Sequence, residues 1–446
     1  MNEQQPLITE RGQSLLDWIR EHPAAPHWRH RTGDRLTAAG REAVQAFAQE
    51  IATGTPGWSL SKPPDWLDEE VARCLDDVPM YRRHHVGARS PFAAIPTVSR
   101  DDLAHEPWAF VPDSADIGEL IGYATSGTTG RPVDILSTPT TSSMFLPLLQ
   151  RALETRGVAL QAGDDGVAIV RLEYHASTYT YCALSGYLGN AGFARVNLFP
   201  TEWRDPEERS AFLDAMDPQI YTGNPISLSE LALLPLKTRP RAIISSSMML
   251  SDGLRTRLEE HFACPVVDVY ATGEAGPTAV GLAGGEFQLL QPRLFVEILN
   301  PDGTQVEPGD VGEVTVTGGF NPLIALLRYR TGDYAAIQPG SDGVTLTNFA
   351  GRTPVLFVSS DGLRINSLDI CKALRPFAFT QHKVHQSSDG TVLFDIWGGD
   401  KSDQLGGQQA LIGILGADAA ITVAVHAANA AAGQKVVPYT SDITLD

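Results

Sequence analysis

"RAIISSSMMLSDGLRTRLEEHFACPVVDVYATGEAG", residues 241–276, is the stretch that decides the fold class of this chain. Its two apolar runs, at 240–247 and 265–271, have the length and composition of buried strands. The residues between them, 251–262, follow the spacing of an amphipathic helix. A strand, a crossover helix and a second strand predict two parallel strands of one sheet.

The same alternation extends outward from this unit. Apolar runs at 166–172 and 194–199 read as further strands, and the residues at 142–157 and 205–216 read as helices. Strands that alternate with helices form a mostly parallel sheet that is covered on both faces. We therefore predict an α/β fold for the central part of the chain.

The two ends of the chain differ from this centre. The first 120 residues have mostly helical patterns, and the residues from about 300 have the turn-rich β pattern of a small barrel or meander. We predict a large N-terminal domain, residues 1–352, of mostly parallel sheets flanked by helices with a small β-barrel-like part. A small C-terminal α+β lid domain, residues 353–446, is predicted to follow it.

Composition limits the function classes. The chain has 446 residues, with 53 acidic against 34 basic residues and a net charge of −19. This balance argues against a nucleic-acid or anionic-membrane partner. No run of eighteen apolar residues and no signal-peptide pattern is present, and the four cysteines lack metal-ligand spacing. We expect a cytoplasmic monomer or homodimer with buried thiols.

A loop rich in hydroxyl groups occupies residues 124–131. It carries four hydroxyl residues and two glycines. Glycine allows backbone conformations in which successive N–H groups point at one anion, and the hydroxyl groups add uncharged hydrogen-bond donors. Both features suit the binding of a polyphosphate. Neither a Walker A loop nor a G-x-G-x-x-G pattern is present. For the loop taken alone, a polar surface turn is the alternative interpretation.

Three further motifs combine with this loop: "VYATGEAG" at 269–276, "RYRTGDYA" at 328–335 and "GRTPVLF" from residue 351. In this order and spacing they resemble the core motifs of the adenylate-forming superfamily, which holds acyl-CoA synthetases, amino-acid adenylation domains and luciferases. With the segment "LDDVPMYRRH" at 75–84, the chain is most similar to the phenylacetate-CoA ligase branch. The resemblance runs from this segment to the C-terminus.

The resemblance implies ATP, Mg²⁺ and CoA as cofactors and a small carboxylic acid as substrate. Tyr270 matches the aromatic residue that stacks on adenine, and Asp333 matches the carboxylate that accepts both ribose hydroxyls. Arg352 matches the arginine on the ribose–phosphate side, and Glu274 matches the Mg²⁺ ligand. The implied ATP-binding residues are Ser126, Gly127, Thr128, Thr129, Gly130, Ser246, Ser247, Tyr270, Ala271, Asp333 and Arg352.

Three departures from the family pattern limit this transfer. Gly273 replaces the hydroxyl residue before Glu274, so either Thr272 supplies the hydroxyl or ATP turnover is slow. No Cys/His cluster follows this motif, so we expect no structural zinc. Pro354 stands where the hinge is usually acidic, and the hinge is then expected at 359–362, where Gly362 permits wide dihedral change. Val133 replaces the lysine that often ends the phosphate loop.

The acid pocket is expected at 170–192, the strand-to-helix stretch where relatives bind their acid. Its tyrosines suggest an aromatic wall around a flat acid, with tyrosines that pack a helix on the sheet as the alternative. Glu173 is either a counter-ion for a substrate amino group or a helix-capping carboxylate. The implied substrate-binding residues are Tyr174, His175, Tyr179, Gly273 and Gly276.

The expected reaction is formation of an acyl-adenylate with release of pyrophosphate, followed by transfer of the acyl group to a thiol, most simply that of CoA. The acid is expected to be aromatic or aryl-alkyl. Lys435, near the chain end, matches the catalytic lysine of the family, with Glu274 and Thr272 as its partners in catalysis. The alternatives are loading of a carrier protein or an amine, and a non-catalytic nucleotide-binding relative.

Overall fold

The structure is a computed structural model, and it describes residues 3–54, 57–83, 91–124, 133–340, 343–430 and 434–443. Its α-helices are α1 (Glu10–Glu21), α2 (Ala38–Thr53), α3 (Leu67–Asp77), α4 (Pro79–Arg82), α5 (Arg100–His105), α6 (Pro139–Ser143), α7 (Phe145–Glu154), α8 (Arg209–Met216), α9 (Pro225–Ala232), α10 (Asp252–Phe262), α11 (Ser367–Leu374) and α12 (Lys401–Leu415). Single 3₁₀ turns cover Phe92–Ala94, Pro107–Phe110, Pro200–Glu202, Pro206–Glu208 and Ala283–Gly285. Across the described ranges, no helix combines the length and the apolar character needed to span a membrane.

The strands are β1 (Val98–Ser99), β2 (Ile121–Ala124), β3 (Asp134–Ser137), β4 (Val167–Glu173), β5 (Tyr181–Ser185), β6 (Ala191–Asn197), β7 (Ile220–Gly223), β8 (Ala242–Ser246), β9 (Val266–Thr272), β10 (Gly276–Gly281), β11 (Phe287–Leu289), β12 (Leu294–Leu299), β13 (Gly312–Gly318), β14 (Tyr329–Gly340), β15 (Gly343–Gly351), β16 (Leu356–Val358), β17 (Arg364–Asn366), β18 (Phe379–Gln386), β19 (Val392–Gly398), β20 (Ile421–His426) and β21 (Tyr439–Ser441).

The chain divides into two compact units built from alternating stretches. The first unit contains Met1–Gly33, Leu160–Asp268 and Pro354–Asp446, and the second contains Asp34–Ala159 and Val269–Thr353. The chain leaves the first unit within β9 and returns to it after Thr353. That the residues from 353 onward move as a separate lid stays a prediction.

The first unit is built on parallel strands. β6, β4, β7 and β8 lie side by side and parallel, and β5 adds an antiparallel edge next to β6. Nearly every residue of β4 is buried, as expected of a strand covered on both faces. Apolar side chains of α1, α8, α9 and α10 pack on this sheet around Phe212 and Leu258. The predicted α/β fold class is confirmed.

Residues 354–446 have a hydrophobic core of their own within the first unit. β18 pairs antiparallel with β19, and the outer strands β20 and β21 run parallel to their neighbours. α11 and α12 cover this sheet around Phe379 and Phe394. The predicted hinge stretch 359–362 forms the turn between β16 and β17, where Gly362 has a φ of +84°. Its action as a hinge stays a prediction.

The second unit is mostly antiparallel. β12, β13, β14, β15, β11 and β10 follow one another in its sheet, as expected from the turn-rich pattern after residue 300. The short strand β1 adds to β14 in parallel, with Val98 opposite Tyr329. α2 to α5 confirm the helical pattern of the first part of the chain.

Candidate active site

The carboxyl ends of the parallel strands gather polar residues at one edge of the first unit. Parallel strands end at the same edge of a sheet, and this edge is where α/β folds bind ligands. Tyr174 follows β4, Asn197 ends β6, Asn224 follows β7, and Ser246 ends β8. Two of the predicted site residues, Tyr174 and Ser246, therefore lie at this edge.

Lys435 reaches the loop after β8. Its Nζ donates a hydrogen bond to the backbone oxygen of Ser247 at 2.7 Å, although 188 residues separate the two in sequence. Ser247 has a φ of +72°, a left-handed conformation that is uncommon outside glycine. The structure thus brings the predicted catalytic lysine to one of the predicted adenine-pocket residues.

Tyr174 and His175 are held by neighbouring polar groups. The Tyr174 ring is buried and meets the Phe199 ring edge-on, with centroids 5.3 Å apart. Burial raises the pKa of Tyr174, and its hydroxyl bonds to Asn429. The buried Asn197 amide holds both backbone groups of His175, at 3.0 and 2.8 Å. The backbone of His175 is therefore fixed to the end of β6.

Tyr179 has different neighbours from Tyr174. Its side chain is 44% exposed, and the Arg195 guanidinium lies 4.0 Å above its ring. The ring also stacks on that of Tyr181, with centroids 6.2 Å apart. Tyr179 thus packs in a surface arginine–tyrosine stack, whereas Tyr174 is buried at the strand end.

The prediction of a helix after β4 is wrong. The residues 181–185 form the strand β5, paired antiparallel to β6, instead of a helix packed on the sheet. Thr, Tyr and Cys, which fill the stretch from 178 to 182, favour strands over helices. The tyrosines therefore do not pack a helix on the sheet here, and Glu173 does not cap one; both of these interpretations are wrong.

Glu173 is fully engaged by positive groups. It is 7% exposed, and its Oε1 accepts from Arg171 at 3.0 Å and lies 2.8 Å from Arg195. Burial opposes its charged form, but the hydrogen bond from His175 and the charges of both arginines lower the pKa of Glu173 to about 2. The carboxylate is therefore ionised and paired at neutral pH.

The second unit holds the other group of predicted residues. The Tyr270 hydroxyl donates to Asp333 Oδ2 at 3.0 Å, and Arg352 Nε lies 3.8 Å from Asp333 Oδ1. The Tyr270 ring meets Phe349 edge-on at 4.5 Å. Burial, followed by the charge of Asp333, raises the pKa of Tyr270 far above its usual range. Three residues that are 19 to 82 positions apart in sequence thus form one cluster.

Glu274 lies in the turn between β9 and β10 and is 5% exposed. Thr272 Oγ1 accepts a hydrogen bond from the Ala275 N–H at 3.0 Å and so fixes this turn. That Thr272 replaces the hydroxyl that the family carries beside Glu274 stays a prediction, and Gly273 lies between the two residues. Gly276 has a φ of +67°, and a Cβ there would overlap the Phe320 ring, so its glycine is required by the backbone.

Arg100 is a site residue that the motifs did not indicate. Its Nη1 donates to Glu274 Oε1 at 2.6 Å, and its side chain is 19% exposed. The pairing of β1 with β14 and a capping box between Ser99 and Asp102 place Arg100 at the start of α5. The capping pattern is visible in the sequence, but nothing in it points to Glu274.

Glu274 also faces Tyr329. Burial and then the charge of Glu274 raise the pKa of Tyr329 well above its usual range. Among the described residues, no group of three or more His, Cys, Asp and Glu side chains could hold a metal by itself. A buried single carboxylate still fits Mg²⁺, which is commonly held by one or two carboxylates together with substrate phosphates.

The predicted phosphate loop cannot be compared with the structure. The residues Ser126, Gly127, Thr128, Thr129 and Gly130 all lie outside the described residues.

The four cysteines are all described, buried and free of disulfides, as predicted; they are Cys74, Cys182, Cys264 and Cys371.

No protein-family model matches the chain. The chain is similar to the phenylacetate-coenzyme A ligase of Pseudomonas putida, at 24% identity over 297 residues, which are 61% of this chain and 65% of that protein. Against the phenylacetate-coenzyme A ligase of Escherichia coli (strain K12), identity is 22% over 299 residues, again 61% and 65%. The chain thus matches about 65% of the length of these relatives.

Solved structures agree with this relationship. A 2-hydroxyisobutyryl-CoA ligase in complex with 2-HIB-AMP superposes with a TM-score of 0.61 at 16% identity, over 91% of this chain and 90% of that one. The open conformation of the same ligase gives a TM-score of 0.54 at 17% identity, over 84% and 89%. The chain therefore shares the fold of this acyl-CoA ligase. The two curated relatives named above are phenylacetate-coenzyme A ligases, the branch that the motifs predicted.

Proposed function

We propose that this protein is an AMP-forming acid–thiol ligase. In the first half-reaction, a carboxylate oxygen of the acid attacks the α-phosphorus of ATP, and pyrophosphate leaves. In the second, a thiol sulfur attacks the acyl carbon, AMP leaves, and the thiol proton passes to solvent. The contact between Lys435 and Ser247, which brings a chain-end lysine to the strand-end edge, carries this proposal.

Lys435 is assigned to the first half-reaction. A lysine ammonium is a compact charge on a flexible stem, so it can bridge the acid's carboxylate and the α-phosphate as negative charge gathers between them. Its rest position beside Ser247 supports this role, because Ser246 and Ser247 are assigned to the adenine pocket. The carboxyl ends of parallel strands are the usual place for such a ligand.

In the second unit, Asp333 is assigned to the ribose hydroxyls. A carboxylate has about four acceptor positions. The hydrogen bond from the Tyr270 hydroxyl orients the Asp333 carboxylate, and such an acceptor suits a vicinal diol. Tyr270 is assigned with Ala271 to the adenine, and Arg352 is assigned to the ribose–phosphate side. The loop of Ser126 to Gly130 remains assigned to the phosphates by its sequence.

Glu274 is assigned as the protein ligand of Mg²⁺. When bound with ATP, the ion supplies charge neutralisation for the departing pyrophosphate. The chain contributes a buried, preoriented carboxylate, because the Thr272 hydroxyl fixes its turn and Arg100 holds one of its oxygens. Thr272 is assigned the role of orienting Glu274, and this assignment favours a catalytic protein over a non-catalytic relative.

The acid is proposed to be aromatic or aryl-alkyl and to bind beside Tyr174 and His175. The buried pair of the Tyr174 and Phe199 rings supports a flat apolar ligand. Tyr179 and the glycines Gly273 and Gly276 stay assigned by sequence alone. Two relatives named above are ligases of phenylacetate, whereas the superposed structures are of a 2-hydroxyisobutyryl-CoA ligase, so the acid needs direct measurement.

CoA is proposed as the acceptor, because the relatives are coenzyme A ligases. The first test is ATP–pyrophosphate exchange with a panel of aryl, acyl and amino acids, followed by thioester formation with CoA, a carrier protein or an amine. Exchange that requires an aryl acid, with CoA as acceptor, supports the proposal. No exchange with any acid in the panel contradicts it.

The lysine and metal assignments are tested in the same assays. Lys435→Ala should abolish exchange and largely spare thioester formation from a supplied acyl-adenylate. Glu274→Gln should raise the Mg²⁺ concentration needed for half-maximal exchange, and its Mg²⁺-dependent binding of ATP can be measured without turnover. Wild-type exchange in Lys435→Ala would remove the lysine from the mechanism.

A further inference from the structure

Gln381 holds the backbone on both sides of Lys435. Its Nε2 donates to the backbone oxygen of Gln434 at 3.3 Å, and its Oε1 accepts from the N–H of Val436 at 3.3 Å. The Gln381 side chain is buried, with 7% of the residue exposed. One side-chain amide therefore makes the two hydrogen bonds that a neighbouring strand would make.

This contact lies where backbone pairing stops. β21 runs parallel to β18 from Tyr439 onward, and the last upstream bond joins the Val384 N–H to the oxygen of Pro438. Proline cannot donate to a ladder. Before Pro438, therefore, the Gln381 amide takes over from the strand in holding the segment that carries Lys435.

The strand itself is shaped to present Gln381. The register of β18 against β19 shifts between Phe379 and Gln381, which is the mark of a bulge. Bulges redirect a side chain at the end of a ladder. Here the bulge comes just before the residue that contacts the lysine-bearing segment.

We propose that Gln381 is a positioning residue for Lys435 in the adenylation half-reaction. This inference rests on the proposed function, because it assumes the role of Lys435 given above. The amide fixes the chain at residues 434 and 436, so the long lysine side chain starts from a defined point and reaches the Ser247 oxygen. Small misplacements of a reacting group cost large factors in rate.

Gln381→Leu keeps the side-chain volume and removes both hydrogen bonds. We expect exchange of pyrophosphate to fall by about 10- to 100-fold through kcat, with little change in the KM for ATP. Thioester formation from a supplied acyl-adenylate should stay near the wild-type rate. Gln381→Glu keeps the acceptor for Val436 and loses the donor to Gln434, so an intermediate loss is expected.

Gln386 is the matched control. It lies on the same strand and is 2% exposed. Its Nε2 donates to the backbone oxygen of Val358 at 2.7 Å, and its Oε1 accepts from the Val358 N–H at 2.8 Å. Gln386→Leu removes a comparable buried amide without touching residues 434 to 436. We expect it to lower the urea midpoint of unfolding and to leave both half-reactions of the folded protein unchanged.

A second readout does not depend on activity. An amine-reactive acetylating reagent, with mass-spectrometric mapping, compares the labelling rate of Lys435 with that of the exposed Lys401. Gln381→Leu should raise the rate at Lys435 severalfold relative to Lys401, and Gln386→Leu should not. Equal labelling and equal exchange in the two leucine variants would overturn the inference.

The two proposals fail in different ways. If Lys435→Ala exchanges pyrophosphate normally, the assigned role of the lysine fails, and the positioning role fails with it. If Lys435→Ala loses exchange while Gln381→Leu and Gln381→Glu behave like Gln386→Leu, the lysine assignment stands and the positioning role of Gln381 is wrong.

Discussion

Arg100→Ala tests whether Glu274 is held as a buried, paired carboxylate. In the structure the two side chains meet at 2.6 Å, and Glu274 is 5% exposed while Arg100 is 19% exposed. Removing one partner of a buried pair leaves the other charge without compensation, which costs about 3–5 kcal/mol. We therefore expect the free energy of unfolding of Arg100→Ala to fall by about 3–5 kcal/mol relative to the wild type.

The expected loss depends on the charge of Glu274 and can be separated from lost packing. The double variant Arg100→Ala/Glu274→Gln has no buried charge at this position. We expect it to recover most of the stability and to lie within about 1 kcal/mol of Glu274→Gln alone.

The measurement is the urea dependence of unfolding at pH 7, followed by circular dichroism. Arg83→Ala is the control, because Arg83 and Glu106 form a pair of similar length, 2.5 Å, with 53% and 52% of their side chains exposed. Exposed pairs contribute less than about 1 kcal/mol. A loss in Arg100→Ala no larger than that in Arg83→Ala would refute the buried pairing.

Three further outcomes are expected. Burial lowers the pKa of His382 to about 4, so the neutral side chain stabilises the fold above pH 6.5, and this stabilisation is lost as the pH falls toward 4. Urea titrations at pH 7 and pH 4 should show that His382→Gln removes about 3 kcal/mol of the loss in unfolding free energy between these two pH values. Gly253→Ala should lower the urea midpoint of unfolding, because a Cβ at residue 253 would overlap the backbone oxygen of Pro376. Such overpacking costs about 1–3 kcal/mol, whereas the gain in helix propensity is ~1 kcal/mol. Thr128→Ala/Thr129→Ala should weaken ATP use, measured as the KM for ATP in pyrophosphate exchange, by about 0.5–1.5 kcal/mol per lost hydrogen bond, and unchanged kinetics would contradict the phosphate loop.

The sequence alone was sufficient to predict secondary structure wherever a hydrophobic pattern repeats along the chain. The alternation of apolar runs and helical patterns predicted the parallel strands of the first unit, because burial on both faces requires continuous apolar strands. Tyr174 and Ser246, which the resemblance indicated, lie at the common edge where these strands end. Lys435 was indicated by its motif, although its contact with Ser247 depends on pairing between β18 and β21 that no local pattern shows.

Local propensity prevailed over family resemblance at residues 181–185. The resemblance predicted a helix after β4, whereas the Thr, Tyr and Cys side chains before and within this stretch favour an extended chain. The open edge of β6 offers such a chain a ladder of hydrogen bonds. The error came from transferring a helix from the family without weighing the strand propensity of these residues.

Arg100 and Gln381 could not be found from the sequence, for a physical reason. Each acts through a contact made by pairing between distant segments: β1 with β14 for Arg100, and the end of β18 with residues 434–436 for Gln381. Neither residue belongs to a motif, and arginine and glutamine are common on surfaces. Their burial and partners distinguish them, and both properties require the fold.

Glu173 shows how the sheet decides between interpretations of a carboxylate. Arg171 of β4 stands directly opposite Arg195 of β6 in the parallel pairing, so two like charges lie side by side on one face. Such pairs are unfavourable unless a counter-charge lies between them. Glu173, two residues from Arg171, shares that face and contacts both arginines. Its charge is therefore used within the sheet, and it is a poor counter-ion for a substrate amino group. A search for the acid pocket should start at Tyr174, whose buried ring adjoins the strand end without a charge of its own.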